Sequence, residues 1–162
     1  RKRGVVTVVD VVIPGAFSEQ AQVLSLLKHV DYFVPNDDEA ARLTNETDPL
    51  RQLRALQSSG AQTVIVTCGE HGSIAGRGDD IWRMPTFPTP IVDPSGTGDA
   101  FCAGLIAGIS RGCDLPESLR HAAALGASAA TAVGTTDGVF TQQQLDAFLA
   151  SNRTAAQLQT NA

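Results

Sequence analysis

The alternation of β-branched runs with helical periodicity limits what this chain can fold into more than any other feature. "GVVTVVDVVIP" (residues 4–14), "YFVP" (32–35) and "QTVIVTC" (62–68) have the composition of strands, the first and last of buried type. Between them, residues 18–29 carry Val23, Leu24, Leu26 and Leu27 behind Ser18, a candidate N-cap, and read as a helix. "DDEAARLT" (37–44) is a short helix, and "DPLRQLRALQSSG" (48–60) an amphipathic one ending at Gly60. Such alternation predicts a layered α/β/α fold around a mostly parallel sheet. Ligands of these sheets sit at the carboxyl ends of strands, where loops lead into helix N-termini.

Further along, "SIAGR" and "DIWRMP" flank Gly78-Asp79-Asp80 and predict a meander. Helices are expected over about 97–111, 115–133 and 141–152, with a loose tail from Thr154 to Ala162. Asp114 and Glu117 around Pro116 read as the capping box of a helix start. The chain has no internal repeat and no low-complexity linker.

Composition closes off several function classes. A net charge of −5 and a pI near 5.0 argue against nucleic acid, which needs a basic face. No apolar run approaches the ~18 residues of a membrane span, and no signal peptide is visible. Cys68, Cys102 and Cys113 lack metal-ligand spacing and read as free thiols, the expectation for a cytoplasmic protein. The 162 residues suffice for one domain or part of a larger one. Because the first residue is Arg1, the only methionine is Met84 and residues 5–9 already read as strand, the expectation is the C-terminal part of a longer protein.

The chemistry concentrates in "PIVDPSGTGDAFCAGL" (90–105), where a strand ending "IVD" turns into a helix. Ala100, Gly104 and Gly108 form a stripe of small residues that would let this helix lie close against the sheet. Gly96, Thr97, Gly98 and Asp99 then make its first turn. Glycines there open the backbone N–H groups to an anion, and the peptide dipoles favour negative charge at that end. Asp99 suits the dipole by itself, worth about 0.3–1 kcal/mol. Beside a bound phosphate, however, a carboxylate makes better sense as acceptor of a proton from the group being phosphorylated. A P-loop is excluded because no lysine follows Lys28. Neither a protein-kinase Asp-Phe-Gly nor a Rossmann Gly-x-Gly-x-x-Gly is present.

"DPSGTGDAF" resembles the C-terminal signature of the PfkB (ribokinase-like) carbohydrate kinases, usually Asp-Thr-x-Gly-Ala-Gly-Asp-Ala/Ser-Phe, with Pro94 and Thr97 as departures. The resemblance implies that Asp99 is the catalytic base and that Gly96, Thr97 and Gly98 supply the anion hole. "VPNDDEA" resembles the family's Asn-x-x-Glu motif and "VTCGEHGS" its Thr-x-Gly-x-x-Gly turn. By the same likeness Asn36 and Glu39 organise Mg²⁺, largely through water, and Asn36, Thr67, Gly69 and Gly72 contact the nucleotide, with His121 near the adenine. Asn36 and Glu39 equally fit a capping box, Gly69 and Gly72 an ordinary turn, and His121 a structural histidine. Asp93, Ser95 and Gly134 match positions where many members hold a monovalent cation, often K⁺. In "GTTDGVF", though, Phe140 stands where proline is frequent.

The implied molecule is the nucleotide-binding half (1–153) of a ribokinase-like kinase using ATP and Mg²⁺ on a sugar or nucleoside hydroxyl, with a homodimer as its implied assembly. Members run to roughly twice this length. Their N-terminal substrate and lid half has no counterpart in the chain, so the isolated residues are expected to be inactive. A pyridoxal-kinase-like vitamin kinase and a non-catalytic nucleotide-binding module remain open alternatives.

Overall fold

The computed structural model describes residues 4–13 and 18–159. Pro14, the end of the first strand run, and residues 160–162 of the tail lie outside the described residues. The chain forms two compact units: Arg1–Gly69 with Ser73–Arg83 and Leu158–Ala162, and Glu70–Gly72 with Met84–Gln157.

The first unit is built on a mixed sheet in the order β1-β2-β3-β4-β5-β6. Its strands are β1 (Val8–Val9), β2 (Tyr32–Phe33), β3 (Thr63–Thr67), β4 (Ser73–Arg77), β5 (Asp80–Met84) and β6 (Gln157–Leu158). The first three run parallel, with Val8 opposite Tyr32 and Tyr32 opposite Thr63, whereas β4 returns antiparallel from Thr67↔Ser73 to Thr63↔Arg77. The helices α1 (Gln20–Leu26), α2 (Asp37–Thr44) and α3 (Pro49–Ser58) supply the crossovers between the parallel strands. Asp48 caps α3 by accepting from Arg51 N at 2.9 Å, and Pro49 occupies the first turn, where its missing N–H is harmless. Val64 and Val66 join Phe33, Leu43, Leu53, Leu56, Ile74 and Ile81 in one apolar cluster. Ile65 points the other way and is also fully buried, so β3 is covered on both faces, as a parallel-sheet strand should be. Each such side chain contributes about 1.5–3 kcal/mol by leaving water.

Two expectations for this unit need correction. The first β-branched run is not a buried strand along its length: only Val8–Val9 pair, and Val12 is 92% exposed. Val9, Val11 and Ile13 turn toward the core and Val12 away, which is the alternation of an edge strand with one covered face. Ser18 does not cap α1, whose N-cap is Glu19 with no side-chain bond, and the helix tightens into a 3₁₀ turn at Leu27–His29.

In the second unit, α4 (Thr97–Ser110) and α5 (Leu115–Ala129) lie antiparallel and in close contact. A Cβ on Gly104 would meet His121 O at 2.5 Å, and one on Gly108 would meet Ser118 Cα at 2.8 Å. The small-residue stripe therefore faces α5; a stripe shows that something comes close, not which element does. Helix α5 stops at Ala129 rather than 133, because Thr131 N and Oγ1 both turn back to Ser128 O. Only half of the expected box at its start forms. Asp114 accepts from Glu117 N at 2.9 Å, while Glu117 itself pairs with Arg120 at 3.0 Å. Helix α6 (Gln142–Ser151) opens on a complete box between Thr141 and Gln144. Arg120 then ties the end of α6 down by donating to the carbonyls of Leu149, Asn152 and Thr154. The segment from Thr154, expected to be loose, carries β6, and Gln159 N donates to Ile81 O at 2.7 Å. No helix among the described residues is long and apolar enough to cross a membrane.

Candidate functional site

In the first unit, the carboxyl ends of the parallel strands β2 and β3 bring Asn36 and Thr67 side by side. The two residues form a parallel bridge, with Thr67 N donating to Pro35 O at 3.0 Å. Asn36 caps α2 reciprocally: its Oδ1 accepts from Glu39 N at 2.8 Å, and Glu39 Oε2 accepts from Asn36 N at 2.8 Å. The capping box is thus real, and it fixes both side chains at the strand end where α/β sheets bind ligands. Burial pushes the Glu39 carboxyl up from its ordinary value, helped by the like charges of Asp10 and Asp38, while the Asn36 N–H opposes the shift. Just beyond, Gly69 begins a 3₁₀ turn with φ of 52°.

No group of three His, Cys, Asp or Glu side chains among the described residues could hold a metal directly. What the first unit offers instead is a half-buried carboxylate in a negative field, a donor set suited to a cation held through water. Mg²⁺, implied by the resemblance, fits that setting.

In the second unit, Gly72 is placed by packing: at φ of 85°, its Cβ would lie 2.2 Å from Met84 O. The loop before α4 is organised by Asp93. Its Oδ1 accepts from Ser95 N at 2.9 Å and its Oδ2 from Gly134 N at 3.0 Å. These N–H groups, Gly134 first, hold the carboxyl below its usual range. Val92 N and Asp93 N both donate to Ala130 O, so the segments before α4 and after α5 are stitched together. Gly96 is the N-cap of α4 at φ of 77°, a left-handed conformation that favours glycine, and no side chain caps the helix. A Cβ on Gly96 would lie 2.7 Å from Thr135 O, whereas one on Gly98 would meet nothing within 4 Å. Gly98 and Asp99 are exposed in the first turn, where no side chain caps the amides, although Thr97 N turns back to donate to Pro94 O at 3.3 Å.

Asp93, Ser95 and Gly134 are thus brought together, but by N–H groups aimed at a carboxylate rather than by converging oxygens. His121 is not drawn into the loop. Its backbone packs against Gly104, seven residues along α4 from Thr97, and its ring is buried. Nδ1 lies 2.9 Å from Glu117 O, and Nε2 lies 3.5 Å from Arg111 Nη1, which also binds Asp146. Sequence reasoning missed the Arg111–Asp146 pair, whose partners stand 35 residues apart with no local signal. It grouped Asp93 with Gly134, 41 residues away, through the resemblance, but as cation ligands rather than as a carboxylate accepting from an N–H.

Comparison with known proteins identifies the fold and the family. Fructoselysine 6-kinase from Shigella flexneri is 39% identical over 106 residues, covering 64% of this chain and 38% of the relative. Aminoimidazole riboside kinase from Salmonella enterica superposes with a TM-score of 0.82 at 26% identity, over 93% of this chain and 54% of that one. It has also been solved with aminoimidazole riboside and an ATP analogue. An E. coli protein assigned as ribokinase II, solved with ATP and Mg²⁺, gives a TM-score of 0.77 at 25% identity, over 93% of this chain and 50% of that one. The chain therefore spans about half or less of the length of these relatives. The fold they share is the ribokinase-like α/β fold, and the pfkB description matches residues 1–142, strand ends and Gly-Thr-Gly-Asp loop included. The chain belongs to the pfkB family of carbohydrate kinases.

Proposed function

We propose that this chain forms the nucleotide-side part of an ATP-dependent kinase acting on a hydroxyl of a sugar or nucleoside. The observation that carries this reading is the first turn of α4: amides uncapped by any side chain, open space over Gly98, and an exposed carboxylate at Asp99. In this reading the N–H groups of Gly96 and Gly98, with Thr97 N shared between Pro94 O and the ligand, receive the transferring phosphate, and donors held in one turn cost little to orient as charge develops. Asp99 takes the proton from the acceptor hydroxyl. The freed oxygen attacks the γ-phosphorus of ATP, and ADP leaves with the electron pair of the broken bond.

Asn36 and Glu39 would hold Mg²⁺ through water, where the ion would neutralise phosphate charge. Thr67, Gly69 and Gly72 are assigned to the nucleotide, and His121 is assigned to positioning α5 through its buried contacts. The acceptor class is inferred from relatives that act on fructoselysine and on aminoimidazole riboside.

The test is phosphoryl transfer from ATP by the complete protein to a panel of amino sugars, ribose-type sugars, nucleosides and pyridoxal. Transfer to a sugar or nucleoside is expected, with Asp99→Asn lowering kcat by roughly 10²–10⁴ while ATP affinity holds or rises. Normal turnover in Asp99→Asn would remove the base assignment. Transfer to pyridoxal alone would move the enzyme to the vitamin kinases.

A further inference from the structure

We infer that Asp93 is the positioning residue of the anion hole, and that its carboxylate clamps the loop without a monovalent cation. The inference rests on the anion-hole reading of Gly96–Gly98. Three observations carry it. Both oxygens of Asp93 are engaged by backbone N–H groups, Ser95 N at 2.9 Å on one and Gly134 N at 3.0 Å on the other. One bond shapes the turn into α4, and the other ties that turn to the loop following α5. The nearby carbonyl of Ala130 is itself taken, by Val92 N at 2.7 Å and Asp93 N at 3.2 Å. Finally, Gly96 packs directly on the tethered loop, with Thr135 O and Cα less than a Cβ contact away. Moving the loop of Gly134 and Thr135 would therefore move Gly96, and with it the first amides of α4.

A cation in this place would need oxygens converging on it. Each N–H takes one of the two lone pairs on the oxygen it reaches, and its positive end opposes a cation set beside it there. The clamp and the cation are alternative ways to hold the same two segments. In this chain the hydrogen bonds already do so.

The experiment measures ADP affinity in the presence of Mg²⁺, together with hydrogen exchange at the Ser95 and Gly134 amides, for the complete protein. Both are read in potassium chloride and in tetramethylammonium chloride at equal ionic strength. The inference expects wild-type ADP affinity to agree within about twofold between the salts, with both amides protected in each. Asp93→Ala should deprotect both amides and weaken ADP binding about tenfold in either salt. Asp93→Asn, which keeps one acceptor oxygen and the fold, should retain protection at one amide and lose affinity to an intermediate degree. Tighter wild-type binding by about tenfold in potassium, abolished in Asp93→Ala, would overturn the inference and make Asp93 a cation ligand. Unchanged amide protection in Asp93→Ala would also overturn it. If the protein binds no ADP in either salt while Asp93→Ala still deprotects both amides, the clamp stands and the kinase reading falls.

Discussion

Gly96 and Gly98 look equivalent in the sequence, two glycines on either side of Thr97, yet they do different work. Gly96 is required by the protein itself: its φ is 77°, and a Cβ there would lie 2.7 Å from Thr135 O. Gly98 is required by nothing in the protein, since a Cβ there meets nothing within 4 Å and its φ is not left-handed. A methyl at Gly98 should raise helix stability by about 0.5–1 kcal/mol. On the proposed reading it would also stand over the amides that receive the phosphate. Gly98→Ala is thus expected to melt at or above the wild-type temperature and to lose nucleotide affinity, whereas Gly96→Ala should lose about 1–3 kcal/mol of stability. Thermal melts and ADP titrations of the two variants check this. A Gly98→Ala protein with undiminished affinity would mean that the first turn of α4 holds no phosphate. The Asn36–Glu39 pair teaches the same lesson from the other side. Its spacing fits a cap and a metal motif alike, and the observed box satisfies the first reading while leaving Glu39 in the negative field that suits the second.

Among the elements, α4 depends on α5 and α6 at its C-terminal end as much as on the loop at its N-terminal end. Arg111, the C-cap of α4, binds Asp146 of α6 through Nη1 and Nη2, at 2.9 and 3.3 Å, and Nη1 also reaches the ring of His121. The hydrogen bonds from Arg111 hold the Asp146 carboxyl below its ordinary value. Because its pKa is depressed in the fold, the stability from this pair is fully present above the unfolded carboxylate value near 4 and is lost as pH falls through the lower folded value. The melting-temperature gap between wild type and Asp146→Asn should therefore be constant above about pH 5 and close below about pH 4. High salt should shrink it, since the pair is exposed. A gap that persists unchanged at pH 3 would show that Asp146 acts through packing rather than charge.

For the molecule as a whole, the sequence reveals what is local and hides what depends on distant partners. The order of strands and helices, the Asn36–Glu39 box, the cap at Asp114 and the Gly-Thr-Gly-Asp turn are written within a few residues of where they act, whereas the local cap read at Ser18 gives way to Glu19. The hydrogen bonding between Asp93 and Gly134, the choice of α5 as the neighbour of Gly104, the Arg111–Asp146 pair, and the pairing that makes Gln157–Leu158 into β6 are not, because each is decided by partners from elsewhere in the chain. The same distinction sets the behaviour of the free 162-residue chain. Its first strand is an edge of the sheet, and Val5, Val6, Val12 and Leu26 in that unit are 60%, 52%, 92% and 60% exposed. A β-branched edge carrying exposed apolar side chains is a template for pairing with another strand. The isolated chain is expected to bind a hydrophobic dye and to elute above its 16.9 kDa mass, increasingly so at higher concentration. Val6→Lys should reduce both effects without unfolding the chain, because a charge on the open side of an edge strand opposes pairing and leaves the core cluster untouched. If the unmodified chain is monodisperse at its own mass and silent to the dye, this edge is protected in a way its exposed valines do not reveal.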